Sequence, residues 1–310
     1  SGYYSNTGAA CGGCLMRMAV TGRAGQLVSA LIERGAGHGV EVVPVGRPEL
    51  DLADAASGIA ALAATQPDII VSAAAYTAVD KAESEPELAR AINGVAPGIV
   101  AQCAAQLGVP VIHISTDYVF NGTKPTPYVE TDPTDPLGVY GSTKLEGEHA
   151  VAAATPNHAI LRTAWVYSPF GGNFLKTMLR LAGDRPQLRV VGDQVGNPTS
   201  ALDLADAVLR VAANLLAAPD DATLRGIFHA VGAGETSWAG FAREIFAASK
   251  SLGGPCAEVT DIPASEYPTP ARRPANSRLV TDRLAALHGV RFPQWQASTA
   301  DTVRRLLSQP

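Results

Sequence analysis

The sequence predicts an α/β fold: a doubly wound parallel sheet with a smaller C-terminal region. Three observations predict it. Short apolar runs alternate with helical patterns through the first half of the chain. The run Asp68–Ala75 is almost continuously apolar, as a strand covered on both faces must be. The alternation then fails after about residue 168, where a different kind of unit begins.

The elements come in this order. Met18–Thr21 is a short strand, and Gln26–Arg34 a helix with Leu27, Leu31 and Ile32 on one face. Val40–Val45 is the second strand, Ala55–Ala64 is helical, and Asp68–Ala75 is the third strand. Glu85–Leu107 reads as helix, Val111–Ser115 as strand, Gly138–Ala154 as helix and Ala159–Val166 as strand. Strand–helix alternation of this kind makes parallel pairing. Beyond residue 168 come a helix at Phe174–Leu181, a strand at Leu188–Val191 and a long apolar helix at Asp203–Leu216. Gly226–Ala230 is a last clear strand, Trp238–Ser249 is amphipathic, and Pro255–Arg278 reads as loop. Residues 281–307 carry one or two helices. The expected layout is a dinucleotide-binding domain at 18–168 plus about 203–232. A substrate-binding region is expected at about 169–202 plus 233–310.

The chain has 310 residues, 46% of them hydrophobic and 17% charged, which is ample for a packed core. A net charge of −5 argues against nucleic-acid binding, which needs a basic face. No stretch approaches the roughly 18 apolar residues of a membrane span. Residues 1–17 differ in composition from the rest of the chain and are expected to lie outside the fold. The Cys11/Cys14 pair there has knuckle spacing but no second pair to complete a metal site. Cys103 reads as a small core residue. Four cysteines in 310 residues and no secretory signal point to the cytoplasm.

Gly22-Arg-Ala-Gly25-Gln-Leu-Val28 comes after the first strand and opens the first helix, the place of a Rossmann-type dinucleotide loop. Gly22 permits the tight turn, and Gly25 lets the backbone approach a pyrophosphate at a helix N-terminus. Val28 replaces the usual third glycine, so the first helix is expected slightly farther from the sheet. Arg47 stands at the end of the second strand, where an acidic residue would select NAD. It suits a 2′-phosphate, pointing to NADPH or to tolerance of NADH as well; a solvated arginine explains it nearly as well. Asp51 is placed to accept from an adenine amino group.

Tyr140-Gly-Ser-Thr-Lys144 puts a phenol and an ammonium on one helical face. A free tyrosine, with a pKa of about 10, is a poor acid at neutral pH; a neighbouring lysine is expected to lower that pKa and to hold a nicotinamide ribose. Ser115-Thr116-Asp117 ends a strand, where ligands of open α/β sheets bind. Thr116 is the candidate donor to a substrate carbonyl, although a Thr/Asp pair also caps turns.

With these residues the chain resembles the extended short-chain dehydrogenase/reductases and, within them, the dTDP-4-dehydrorhamnose reductases. The resemblance runs from about Met18 to the C-terminus. It rests on the stretch from Ala73 to Pro86, Ser115–Phe120, Tyr140–Glu148, Arg162–Tyr167, Asn173-Phe174 and Asp193–Thr199. It implies reduction of the C4 ketone of dTDP-4-dehydro-L-rhamnose by NAD(P)H, the last step of dTDP-L-rhamnose synthesis. Tyr140 would be the proton donor, Lys144 would tune it, and Thr116 would polarise the carbonyl. Gly22, Gly25, Gln26 and Leu27 would hold the pyrophosphate. Asp51 and Leu52 would face the adenine, and Ala74, Ala75, Tyr76, Thr77 and Ser115 would line the cofactor's path. Asp117 and Trp165 would meet the sugar, with Asn173, Gln194 and Thr199 on the nucleotide-sugar side. The resemblance also implies a homodimer and, in some members, magnesium at a subunit contact; no motif places its ligands here, and no metal residue is assigned. Two rivals remain on this fold: another nucleotide-sugar dehydrogenase or epimerase, and a non-catalytic NADP-binding subunit similar to that of methionine adenosyltransferase.

Overall fold

A computed structural model describes residues 15–308; Cys11 and Cys14 lie outside the described residues. The first half runs β1 (Met16–Thr21), α1 (Gln26–Gly35), β2 (Val40–Val45), α2 (Ala55–Gly58), α3 (Ala60–Ala64) and β3 (Ile69–Ser72). It continues with α4 (Val79–Ala82), α5 (Pro86–Arg90), α6 (Ala96–Leu107), β4 (Val111–Thr116), α7 (Val139–Ala154) and β5 (His158–Thr163). Then come β6 (Val166–Tyr167), α8 (Phe174–Ala182), β7 (Gln187–Val191), β8 (Val195–Gly196), β9 (Thr199–Ser200), α9 (Ala201–Ala217) and β10 (Gly226–His229). The chain ends with β11 (Thr236–Ser237), α10 (Trp238–Ser251), β12 (Glu258–Ile262), α11 (Asp282–His288) and α12 (Trp295–Leu307).

Six strands form one sheet in the order β10-β5-β4-β3-β1-β2, every neighbour parallel. The period of two in each strand divides its side chains between two cores. Met18, Val20, Val71 and Leu161 meet Leu27 and Leu31 of α1 and Leu204 and Val208 of α9. Ala19, Ile70 and Ile160 meet Leu62 of α3, Val100 and Ala104 of α6 and Val151 of α7. This is the doubly wound sheet that the alternation predicts. A third core joins α8, β7, α10 and α12 through Leu175, Val190, Phe241 and Val303.

Four details differ from the sequence reading. β1 begins at Met16, so residues 16 and 17 belong to the sheet: the Arg17 amide donates to Asp68 Oδ2 at 2.7 Å. The helix expected across Glu85–Leu107 is interrupted by a π-turn at Ala91–Val95, just before Pro97, whose missing N–H cannot continue the ladder. The strand expected over Ala159–Val166 breaks at Trp165, whose φ of +49° leaves the extended region. The expected loop Pro255–Arg278 contains β12, which pairs in parallel with β7; the signal was hidden because most of its side chains face solvent. The C-terminal segment is also divided: Leu284 of α11 packs into the sheet's own core while Val303 of α12 joins the third one.

Candidate active site

The strand ends build the site. Gly22 turns with φ +101°, and its amide donates to the Val45 carbonyl at 2.7 Å. A Cβ there would come within 3.2 Å of Ala74 Cβ and 3.5 Å of Val28 Cγ2, so Val28 packs directly under the turn. The buried Thr21 hydroxyl accepts from the amides of Ala73 and Ala74, each at 3.0 Å, and so fixes the segment after β3 beside the glycine turn. Gly25 precedes α1 without a side-chain cap, and no acidic residue stands in the helix's first turn. The free N–H groups there form a natural anion site.

These segments open onto a cavity of about 620 Å³. Gly22, Gly25, Gln26 and Leu27 line one end, with Ala74, Ala75 and Thr77 along the side. Ser115, Thr116, Asp117, Tyr140, Lys144 and Trp165 line the other end. Seven expected residues do not line it. Arg47 is exposed at the end of β2, and Asp51 caps a short helical turn by accepting from Ala53 N at 3.0 Å, with Leu52 beside it. The Tyr76 phenol donates to Glu85 at 2.5 Å. Gln194 is half-buried ahead of β8. Thr199 is fully buried, its hydroxyl donating to Asn197 O and accepting from Gly232 N, both at 3.1 Å. Asn173 caps α8 and bonds to Gln26. A separate hollow of about 420 Å³, walled by His38, Asp203, Arg210 and Phe292, holds none of the expected residues.

The chemistry-bearing groups sit close together. Thr116 Oγ1 donates to Asp117 Oδ1 at 3.0 Å and lies within hydrogen-bond reach of the Tyr140 phenol. The Tyr140 ring meets Tyr118 edge to face, with centroids 5.3 Å apart. Lys144, 2% exposed, donates to the Ile114 carbonyl at 2.6 Å, and its Nζ is 3.5 Å from His113 Nε2. Burial brings the Lys144 ammonium down to about 8, opposed by the charge of Glu148. Burial also lifts the Asp117 carboxyl to about 6, against hydrogen bonds from Ser277 and Thr116. The expected lowering of the Tyr140 pKa is not what this geometry yields. Burial, then the Asp117 charge, push it up to about 12, and the Thr116 contact offsets only part of this. The phenol therefore stays protonated through the neutral range.

Sequence reasoning missed the supports. Glu148, one helical turn beyond Lys144, is 1% exposed. It accepts from Arg162 Nε at 2.9 Å and from its second nitrogen at 2.7 Å, and from the Ser115 hydroxyl. A charge inside the apolar strand at Arg162, and a carboxylate four residues after Lys144, were the available signals. Asn93 in the π-turn clamps Tyr76: its Oδ1 accepts from the amide at 2.8 Å and its Nδ2 donates to the carbonyl at 3.0 Å. Trp238 stacks on Trp165 with centroids 3.5 Å apart, and Gly196 leaves the room: a Cβ there would lie 2.6 Å from the Trp165 ring. Trp165 makes this stack at a φ of +49°. Among the described residues no three histidine, cysteine or acidic side chains converge as a metal site, and no helix is long and apolar enough to cross a membrane.

The model of the RmlD substrate binding domain family matches residues 16–308. The chain belongs to this family. It is 54% identical over 292 residues to the dTDP-4-dehydrorhamnose reductase of Sinorhizobium fredii, covering 94% of this chain and 98% of that one. The crystal structure of a dTDP-4-dehydrorhamnose reductase from Clostridium acetobutylicum superposes with a TM-score of 0.85 at 37% identity, covering 94% of this chain and all of that one. The dTDP-4-dehydrorhamnose reductase of Bacillus anthracis, solved in complex with NADP, gives the same TM-score at 32% identity and the same coverage.

Proposed function

We propose that the protein reduces the C4 ketone of dTDP-4-dehydro-L-rhamnose to dTDP-L-rhamnose with NADPH or NADH, the last step of dTDP-L-rhamnose synthesis. One observation carries this reading: Thr116, Tyr140 and Lys144 face the same cavity as the glycine turn and the uncapped start of α1. Family membership supports the substrate, since the relatives from S. fredii and C. acetobutylicum are reductases of this sugar nucleotide.

The cavity suits a nicotinamide dinucleotide. Gly22 makes its turn at φ +101°, which a side chain would strain, the α1 N-terminus offers N–H groups to a pyrophosphate, and Lys144 supplies a buried cation. Gly22, Gly25 and Leu27 would hold the pyrophosphate, Ala74, Ala75 and Thr77 the middle of the cofactor, and Lys144 the nicotinamide ribose. Arg47 favours a 2′-phosphate and hence NADPH, although Glu49 nearby pairs with Arg23 of the glycine turn and adds a negative charge. When bound, the nicotinamide supplies the hydride.

The chain's own residues handle the resulting charge. Reduction of a ketone builds negative charge on its oxygen. Tyr140, protonated across the neutral range, donates the proton to that oxygen, and Thr116 turns its hydroxyl from Asp117 to share the same atom. Tyr140 is left as a phenolate and is reprotonated from solvent through the open cavity. Trp165, braced by Trp238, forms the wall for the sugar ring, with Asp117 beside it. The reading places the enzyme in the cytoplasm.

The test is NADPH and NADH oxidation with dTDP-4-dehydro-L-rhamnose made in situ. Wild type consumes cofactor in proportion to substrate and forms dTDP-L-rhamnose. Tyr140→Phe loses about 10²–10⁴-fold in kcat, the usual contribution of a positioned acid. Cofactor binding without any substrate-dependent oxidation would overturn the reading and favour a non-catalytic subunit.

A further inference from the structure

Gln26, the first residue of α1, does not point its side chain freely into the cavity. Its Oε1 accepts from the Ser168 hydroxyl at 2.7 Å and from Asn173 Nδ2 at 3.0 Å, and its Nε2 donates to the Val166 carbonyl at 3.4 Å. Asn173 holds a fixed orientation. Its Oδ1 accepts from Lys176 N at 3.1 Å and caps α8, so Nδ2 must face the other way, towards Gln26 Oε1 and the Ser168 carbonyl at 2.8 Å. Position 173 thus needs an acceptor for the cap and a donor for the clasp, which asparagine alone among the short capping residues supplies at both ends. The segment between Ser168 and Asn173 contributes Gly171 and Gly172 to the same cavity that Gly25 lines. The far end of this connection reaches the substrate wall: Phe174 packs on Trp238 at 4.7 Å between centroids, and Trp238 stacks on Trp165.

We propose that Asn173 is a positioning residue for the cofactor: through Gln26 it locks the glycine turn to the 168–173 strap, so the two walls of the cavity's mouth are set together. The inference rests on the reading of this cavity as a nicotinamide-nucleotide site. Asn173 does not touch the reacting atoms. It acts by holding the start of α1 at a fixed distance from Gly171 and Gly172, so that the N–H groups meant for the pyrophosphate are preorganised.

A double-mutant cycle on NADPH affinity tests it, read by NADPH fluorescence. Asn173→Asp keeps the cap acceptor but sets an oxygen against Gln26 Oε1 and the Ser168 carbonyl. Gln26→Met keeps the length and removes the amide. Each variant is expected to weaken NADPH binding about five- to tenfold, the worth of a lost hydrogen bond or two. The double variant is expected to bind no worse than the weaker single, because both break one connection. Unchanged NADPH affinity in Asn173→Asp, or effects that multiply in the double variant, would overturn the proposal and leave Asn173 a helix cap only. In that case wild-type turnover of the sugar nucleotide still stands. A wild type that binds no nicotinamide nucleotide would instead overturn the cofactor reading, and the clasp's role with it.

Discussion

The most exacting test of this structure concerns Glu148, which lies beneath the site. Glu148 and Arg162 are 1% and 2% exposed, and the guanidinium grips the carboxylate with two hydrogen bonds of 2.9 and 2.7 Å. The third Arg162 nitrogen is buried without a hydrogen-bond partner, so among the described residues Glu148 is the one carboxylate that answers the guanidinium's charge here. Glu148→Gln strands the arginine charge in a dry interior. Breaking a buried pair from one side costs about 3–5 kcal/mol. At roughly 2 °C per kcal/mol for a chain of this size, the midpoint falls by about 6–10 °C. Thermal unfolding followed by circular dichroism measures it. The exposed pair Arg90–Glu146 is the control, because solvent screens it: Arg90→Ala should shift stability by less than about 1 kcal/mol. The loss at Glu148 should persist in high salt, since a buried pair is little screened. Replacing both partners together, Glu148→Leu with Arg162→Met, should recover most of the loss. A midpoint for Glu148→Gln within a degree of wild type would show that the buried pair carries no net stability.

The same geometry gives three more expected outcomes. Between the ordinary Asp value of 3.8 and about 6, the folded chain keeps a proton on Asp117 that the unfolded chain has released. Stability should therefore fall as pH rises through that window, by up to about 3 kcal/mol; urea titrations should show the slope flattened in Asp117→Asn. Gly196→Ala pushes a methyl into the Trp165 ring, costing about 1–3 kcal/mol. It should raise the sugar-nucleotide KM while leaving the NADPH Kd near wild type, which steady-state kinetics and fluorescence separate. Arg47→Ala should lower kcat/KM for NADPH relative to NADH by about tenfold or more, the worth of a charged hydrogen bond; an unchanged ratio would show Arg47 to be only a solvated cation.

Much of the fold was legible because it is local. Strand β2 matches its sequence reading at both ends, and α1 and α7 match within a residue, since an apolar period and a glycine turn are written in neighbouring positions. Part of the cavity's lining was legible for the same reason: Tyr140 and Lys144 share a helical face, and Ser115–Asp117 ends a strand. Side chains that work at long range were not legible. Asn173 and Gln26 are 147 residues apart in sequence, and nothing near either one names the other. Glu148 lies on a helix, and its buried partner Arg162 comes from β5, 14 residues further along the chain. The Tyr140 shift is the sharpest case. Spacing alone places a lysine beside the phenol, but the sign of the shift depends on burial and on the buried Asp117 charge, both set by how the strands and helices pack. Local pattern determines which elements form and which reactive groups they carry; the packed interior determines each group's neighbours and solvent access, and so its charge.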